Sequence, residues 1–313
     1  ETHFAKNVKG EDNKLSQEPS KNQGKAQETS PFSYVVFAGG GSRCLWQAGF
    51  WSIVGPELQI APKKVAAVSA GGLIASLIFS KRADEALEYF KEATAKNEKN
   101  FYPENVFKKE AVFPQAKMYR QLVMDIFTQD ALNELQVGPE IHVLLARVPW
   151  WLGARSGALL GFLLYTFEKK TTKPIHPKIN RALGYKSETL SLRSCQTPEQ
   201  LADALMQSSC TPPFTPLYYR DKKPVLDGGL VDNVPVEALG EDLDTGKTLV
   251  LLTRKYPKLN LLPHPSRLYV QPSKPVPIST WNYASPTLLQ ETYEQGKADG
   301  VSFLESFQKE KQR

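Results

Sequence analysis

Apolar positions along the chain fall into short runs that alternate with stretches of helical spacing. Tyr34-Val35-Val36-Phe37 reads as a strand, closed by Gly39-Gly40-Gly41. A helix is predicted from near Ser42, with Leu45, Trp46, Phe50 and Ile53 on one face. A second strand, Val65 to Val68, runs into Ser69, and a helix follows through Leu73, Ile74, Leu77 and Ile78. Residues 83–93 form another amphipathic helix, and Val143-Leu144-Leu145 lies in a third strand. Further strands are predicted at Glu188 to Leu192 and Lys223 to Leu226, with a helix over 198–208 between them. Thr248 to Leu252 and Arg267 to Val270 read as buried strands, and 286–307 as a terminal helix. Strands alternating with helices predict an α/β fold: a mostly parallel central sheet covered by helices on both faces.

The pattern is missing from residues 1–31, which are polar, of mixed charge and nearly free of aliphatic side chains. Such a segment has too little apolar surface to offset its ordering entropy, so a disordered tail or linker is expected there. Residues 32–313 are expected to form a single domain. Composition adds less. The net charge of +6 is compatible with an anionic membrane or a nucleic acid and does not choose between them. The basic residues are scattered and no nucleic-acid module is present, so no nucleic-acid partner is expected. Cys44, Cys195 and Cys210 are few and far apart, which argues against a disulfide framework and a Cys-rich metal site. No stretch resembles a signal peptide. The expected location is cytoplasmic or membrane-peripheral.

Three places carry candidate chemistry. Gly39-Gly40-Gly41-Ser42-Arg43 stands between a strand and a helix, where exposed amides suit a phosphate or a developing oxyanion. It lacks both the G-x-G-x-x-G dinucleotide pattern and the G-K-[ST] ending of a P-loop. A tight structural turn is the competing reading. Ala67-Val68-Ser69-Ala70-Gly71 follows a strand and opens a helix, the context of a nucleophile elbow. Serine is also a common helix cap. Val225-Leu226-Asp227-Gly228-Gly229 puts a carboxylate at a strand end, where it can act as a base or sit in an Asp-Gly turn.

In this order, with Ser208-Ser209-Cys210-Thr211-Pro212-Pro213-Phe214-Thr215-Pro216 before the Asp-Gly-Gly strand and Leu230-Val231-Asp232-Asn233-Val234-Pro235-Val236 after it, the chain resembles the patatin-like phospholipase family. The resemblance runs from about Tyr34 to the terminal helix and is absent from the tail and from 100–190, a divergent, helix-rich segment. It implies a catalytic domain with a Ser69–Asp227 dyad. It implies an oxyanion hole from Gly39, Gly40, Gly41, Ser42 and Arg43, and support from Ala67, Ala70, Gly71, Gly228 and Gly229. The implied reaction is hydrolysis of fatty acyl esters of phospholipids or lysophospholipids through an acyl-enzyme, with no metal or organic cofactor. Ala67 stands where the family pattern has glycine, and Cys44 where it often has glycine. Arg43 has two readings: it fixes the loop by bonding backbone carbonyls, or it touches a lipid phosphate.

Two alternatives stand beside this. One is a catalytically silent lipid-binding or scaffold protein on the same fold. The other is an α/β-hydrolase esterase with Ser69, Asp227 and His264 in that chain order. Residues 148–167 gather apolar and aromatic side chains, including Trp150, Trp151 and Phe167, ahead of Lys169, Lys170, Lys173, Lys178 and Arg181. This suits peripheral contact with an anionic membrane. The competing reading is a buried helix with a solvated charged face.

Overall fold

The computed structural model describes residues 30–108, 110–172, 174–240, 246–256 and 264–311. The expected tail falls outside these residues except for its last two. The elements in order are β1 (Tyr34–Phe37), α1 (Leu45–Glu57), β2 (Lys64–Val68), α2 (Ala70–Phe79), α3 (Ala83–Ala95) and α4 (Asn105–Lys108). Next come α5 (Gln115–Ile126), α6 (Gln129–Val137), β3 (Glu140–Arg147), α7 (Ala154–Thr171), α8 (Ile179–Ala182) and β4 (Lys186–Ser191). The chain continues with α9 (Pro198–Ser208), β5 (Tyr218–Arg220), β6 (Lys223–Asp227), β7 (Thr248–Leu251), β8 (Arg267–Val270) and α10 (Pro286–Lys311).

All eight strands join one mixed sheet. β1 lies between β2 and β7, and the run β3-β2-β1-β7-β8 is parallel throughout. β4 and β6 pair with β3 antiparallel, and β5 extends β6. The alternation of side chains divides the core in two. Val35, Phe37, Val65, Ala67, Val143 and Leu249 face the core beneath α1, α2, α9 and α10. Val36, Ala66, Val68, Leu144 and Val250 face the opposite core, which Ala158 of α7 and the segment Leu230–Leu239 close. A sheet covered on both faces explains why these strands read as unbroken apolar runs.

Some predicted boundaries move. The helix expected near Ser42 begins as a 3-10 turn over Gly41–Cys44 and becomes α-helical at Leu45. β8, expected to be buried, is a half-exposed edge strand, because only β7 pairs with it. The stretch 100–190 contributes β3 and β4 as well as helices, and β3 lies inside the sheet. No helix among the described residues is long and apolar enough to cross a membrane. The three cysteines are free and buried.

β3 sets the arrangement at the site. β4 pairs with residues 142–147, and each backbone edge holds one neighbour at a given position. β2, paired to Lys64↔Glu140 through Val68↔Leu144, therefore takes the other edge. β6, paired to Arg147↔Val225 through Leu145↔Asp227, shares that edge with β2. The two strands arrive head to head, one register position apart. Gly228 fits this junction because a Cβ there would lie 2.3 Å from the Leu144 carbonyl oxygen.

α1 and α10 cross at contact distance through a reciprocal pair of glycines. A Cβ on Gly49 would lie 2.0 Å from the Tyr293 carbonyl oxygen, and one on Gly296 would lie 2.2 Å from that of Trp46. Trp46 Nε1 donates to Asp299 at 2.7 Å, and Phe50 meets Phe303 edge-on at 5.3 Å between ring centres. Backbone cannot yield as a side-chain tip can. Gly49→Ala is therefore expected to cost about 2 kcal/mol or more, seen as a lower urea midpoint. An unchanged midpoint would contradict the helix crossing.

Candidate active site

The structure brings the three sequence-predicted segments together around one cavity of about 700 Å³, lined by Gly40, Gly41, Arg43, Ser69, Ala70, Thr211, Asp227 and Gly229 among others. Ser69 closes β2 and stands as the N-cap of α2 with φ 55 and ψ −137. A positive φ on a non-glycine residue is held there by its surroundings. Its amide donates to Ser208 Oγ at 3.0 Å, and Ser208 Oγ donates to the Leu144 carbonyl at 2.8 Å. Ser208 thus ties the elbow to β3. Ala67, the departure from the family's glycine, is fully buried in β2 opposite Phe37 and Val143. Gly71 packs where a Cβ would approach the Phe37 and Ala38 carbonyl oxygens within 2.6 and 2.7 Å. That contact seats the glycine loop against the start of α2.

Asp227 closes β6 beside Ser69. Its carboxylate lies beside the Ser69 side chain and accepts hydrogen bonds from the Gly229 amide at 2.7 Å and from Thr211 Oγ1 at 3.3 Å. Its own amide donates to the Cys210 carbonyl at 2.7 Å, so the proline block holds the strand end in place. Burial pushes the carboxyl up from 3.8 to about 6, against the pull of Ser69, Gly229 and Thr211. A carboxylate tuned this way ionises just below neutrality.

The glycine loop is fixed through its carbonyls and two of its amides. The Gly39 amide donates to the Asn233 carbonyl and the Ser42 amide to the Thr280 carbonyl, both at 3.1 Å. The Gly39 carbonyl accepts from Thr253 Oγ1 at 2.7 Å and Asn233 Nδ2 at 3.1 Å. Arg43 Nε donates to the Gly40 carbonyl at 3.3 Å, the loop-fixing role. Gly41, at φ 58, reverses the chain where a side chain would strike the Thr280 carbonyl. No acceptor among the described residues takes the amides of Gly40 and Gly41. Of the five loop residues named from sequence, Gly40, Gly41 and Arg43 line the cavity, while Gly39 and Ser42 have their amides committed. Beneath them, Cys44 is buried with its Sγ 3.6 Å from the Ala38 carbonyl.

No histidine among the described residues lines the cavity. His142 lies on β3 between the Ala238 carbonyl, 2.8 Å from Nδ1, and Glu140, 2.9 Å from Nε2. His176 Nδ1 meets Asp232 at 2.9 Å. His264 contacts Ser266 in an exposed loop. His3 lies outside the described residues. No cluster of three or more metal-ligating side chains occurs among the described residues.

The cavity also has walls that the motifs did not announce. Tyr119, Phe162, Tyr165, Lys169, Arg254, Lys255, Tyr256, Trp281 and Tyr283 line it. Phe214, from the proline block, stacks on Trp281 at 4.2 Å between ring centres and touches Phe113 at 4.8 Å. Burial, with Arg43 and Arg254 nearby, lowers the Lys169 ammonium to about 8. Burial likewise lowers Arg43. Arg254 follows β7, whose end lies beside that of β1, so the parallel pairing carries it to the glycine loop. Only its distance in sequence from the motifs concealed it.

A mixed sheet covered on both faces thus brings a serine turn and an acid together at one cavity. The sequence pattern of the patatin-like phospholipase family matches residues 35–239, and the chain belongs to that family. At that level its class of activity is lipid acyl hydrolysis. No curated protein matches the sequence. Among solved structures, VipD from Legionella pneumophila is similar at 12% identity and a TM-score of 0.45, over 88% of this chain and 67% of its own.

The raised Asp227 carboxyl has a consequence for stability. The folded protein holds this proton more tightly than the unfolded chain, so the site's contribution is full below about 3.8 and is lost as pH rises through about 6. Asp227→Asn stays neutral throughout. It is expected to be more stable than wild type by up to about 3 kcal/mol above pH 6, with no gain below pH 4. Urea unfolding of both proteins at pH 4 and pH 8 reads this directly; equal stability at pH 8 would refute it.

Proposed function

We propose that the protein hydrolyses fatty acyl esters of phospholipids or lysophospholipids with Ser69 as nucleophile and Asp227 as base. The observation that carries the reading is the meeting of Ser69 and Asp227, at the ends of β2 and β6, on the wall of one cavity. Asp227 takes the Ser69 proton as Oγ attacks the ester carbonyl carbon. The oxygen that gains charge is placed against the amides of Gly40 and Gly41, and the N-terminus of α2 adds a favourable dipole. Collapse expels the alcohol, which takes the proton from Asp227, and leaves Ser69 acylated. Water attacks the acyl-enzyme with Asp227 again as base, releasing the fatty acid and restoring Ser69. Arg43 keeps the glycine loop in position by holding the Gly40 carbonyl.

The reading includes peripheral contact with an anionic membrane through α7. Leu159, Leu163 and Phe167 recur every four residues on that helix and are 62%, 55% and 59% exposed. Trp150, just before it, is 95% exposed. The buried residues of α7 are few: Gly157, Ala158, Gly161 and Glu168. The buried-helix reading of this segment is therefore set aside, because the apolar face points outward. Phe162, Tyr165 and Lys169 of the same helix line the cavity, so α7 stands between the site and the lipid surface. Of the basic residues after it, Arg181 is engaged by Glu237 at 2.9 Å, and Lys173 lies outside the described residues.

Ser69→Ala should abolish fluorophosphonate labelling and lower lipid hydrolysis by ~10⁴-fold or more. The wild-type kcat/KM should rise with pH through about 6, where Asp227 ionises. Single alanine replacements of His142, His176 and His264 should change the rate only a few-fold; collapse with any of them would favour a histidine triad. Folded protein that never labels would favour a silent scaffold.

For the membrane contact, Leu163→Glu with Phe167→Glu should release the protein from anionic vesicles in co-sedimentation. Binding that ignores lipid charge and salt would sink the docking.

A further inference from the structure

The cavity is electrostatically one-sided beyond what the proposed dyad uses. Arg43, Lys169 and Arg254 all line it, as do Lys170 and Lys255. Arg43 and Arg254 each act on Lys169, so the three cations lie within reach of one another. Among the described residues none of the three is in an ion pair with a carboxylate. The acid that shares the cavity, Asp227, is engaged by Ser69, Gly229 and Thr211. Arg43 has one backbone bond, to Gly40. Arg254 has no side-chain hydrogen bond among the described residues; its guanidinium carbon lies over the Tyr256 ring, 4.6 Å from the centre. Lys169 Nζ stands 5.6 Å from the centre of the Tyr165 ring.

A second observation is independent of charge. Tyr256 also lines the cavity and is 3% exposed. Its hydroxyl is buried with no partner among the described residues. A buried hydroxyl without a partner costs free energy, so its retention beside unpaired cations points to an acceptor that arrives from outside. Clustered cations that lack a counter-charge repel one another, which an incoming anion relieves. Planar guanidinium, ammonium and phenol donors together suit the tetrahedral oxygens of a phosphoryl group.

We propose that Arg254, Lys169 and Tyr256 form a binding site for the phosphate of an anionic lipid headgroup, selecting headgroups of net negative charge over neutral glycerides and over choline lipids. This rests on the lipid-hydrolase reading and names its substrate class. The three cations more than offset the charge of about −2 on a phosphomonoester. A choline headgroup returns a cation to the same place, and a diacylglycerol supplies no anion. Arg43 contributes charge, while its bond to Gly40 keeps it with the glycine loop.

The test has a binding arm that needs no turnover. Ser69→Ala protein is titrated with dihexanoyl phosphatidic acid, dihexanoyl phosphatidylcholine, dihexanoylglycerol and inorganic phosphate. The phosphatidic acid is expected to bind at least tenfold more tightly than each of the others. Adding Arg254→Gln or Lys169→Gln should cut that preference by on the order of tenfold each. Arg254→Lys should restore part of it, which a merely unfolded variant could not do. Tyr256→Phe should reduce it less. Equal affinity for phosphatidic acid and dihexanoylglycerol would overturn the site, and inorganic phosphate binding as tightly as the lipid would overturn the headgroup in favour of a free anion. The second arm measures wild-type hydrolysis of the three lipids as a selectivity ratio. Hydrolysis without headgroup preference would remove this inference and leave the hydrolase reading standing. Preferential binding with no hydrolysis of any lipid would remove the hydrolase reading and leave the phosphate site.

Discussion

The site depends on one edge of β3 being shared by two strands that arrive from opposite directions. β2 climbs to Val68 opposite Leu144, and β6 descends to Asp227 opposite Leu145. Neither strand can extend further, because the other occupies the next position. Each chain must turn out of the sheet at the same point. β2 turns through Ser69 into α2, and β6 turns through Gly228. The two side chains at the turns therefore meet, and the sheet's hydrogen-bond register fixes where. Ser208 completes the junction by bridging the Ser69 amide and the Leu144 carbonyl. A mixed sheet is needed for this, since two strands running the same way would leave their turns at opposite ends.

Meeting in this way places a carboxylate where water has been largely excluded. Burial pushes Asp227 up, and the donors on Ser69, Gly229 and Thr211 pull it partly back to about 6. The same balance that costs stability leaves a carboxylate able to accept a proton near neutrality. The glycine loop shows the matching economy in hydrogen bonds. Its carbonyls are held by Thr253, Asn233 and Arg43, and two of its amides are spent on Asn233 and Thr280. Gly40 and Gly41 line the cavity in positions that these neighbours determine.

The far wall of the cavity is built by elements remote in sequence. α7 turns one side toward the cavity with Phe162, Tyr165 and Lys169, and its exposed side carries Leu159, Leu163 and Phe167. Arg254 and Tyr256 enter after β7, next to the glycine loop. Unpaired cations near a polar centre and an apolar outer face on the same helix are costly features for a purely structural element. Both become consistent when the occupant is an amphiphile with a charged head.

Most strands, the helices α1, α2, α3, α9 and α10, and the three site motifs were legible in the sequence, whereas α5, α6, α8 and β5 were not. The legible features are local: unbroken apolar runs mark covered strands, glycines mark turns, and a serine between strand and helix marks an elbow. The sequence marked the edge strand Arg267–Val270 as buried because composition does not report how many neighbours a strand has. It named five loop residues as equivalent, whereas partners more than 190 positions away, Asn233 and Thr280, committed the amides of Gly39 and Ser42. Which face of the 148–167 run points outward was set by packing, because helical spacing repeats whether a partner covers it or not. Packing likewise brought Arg254 and Lys169 to one cavity, since charges on distant elements become neighbours through strand order alone. Ser69 and Asp227 were each ambiguous as residues, and the shared edge of β3 is what made them a pair.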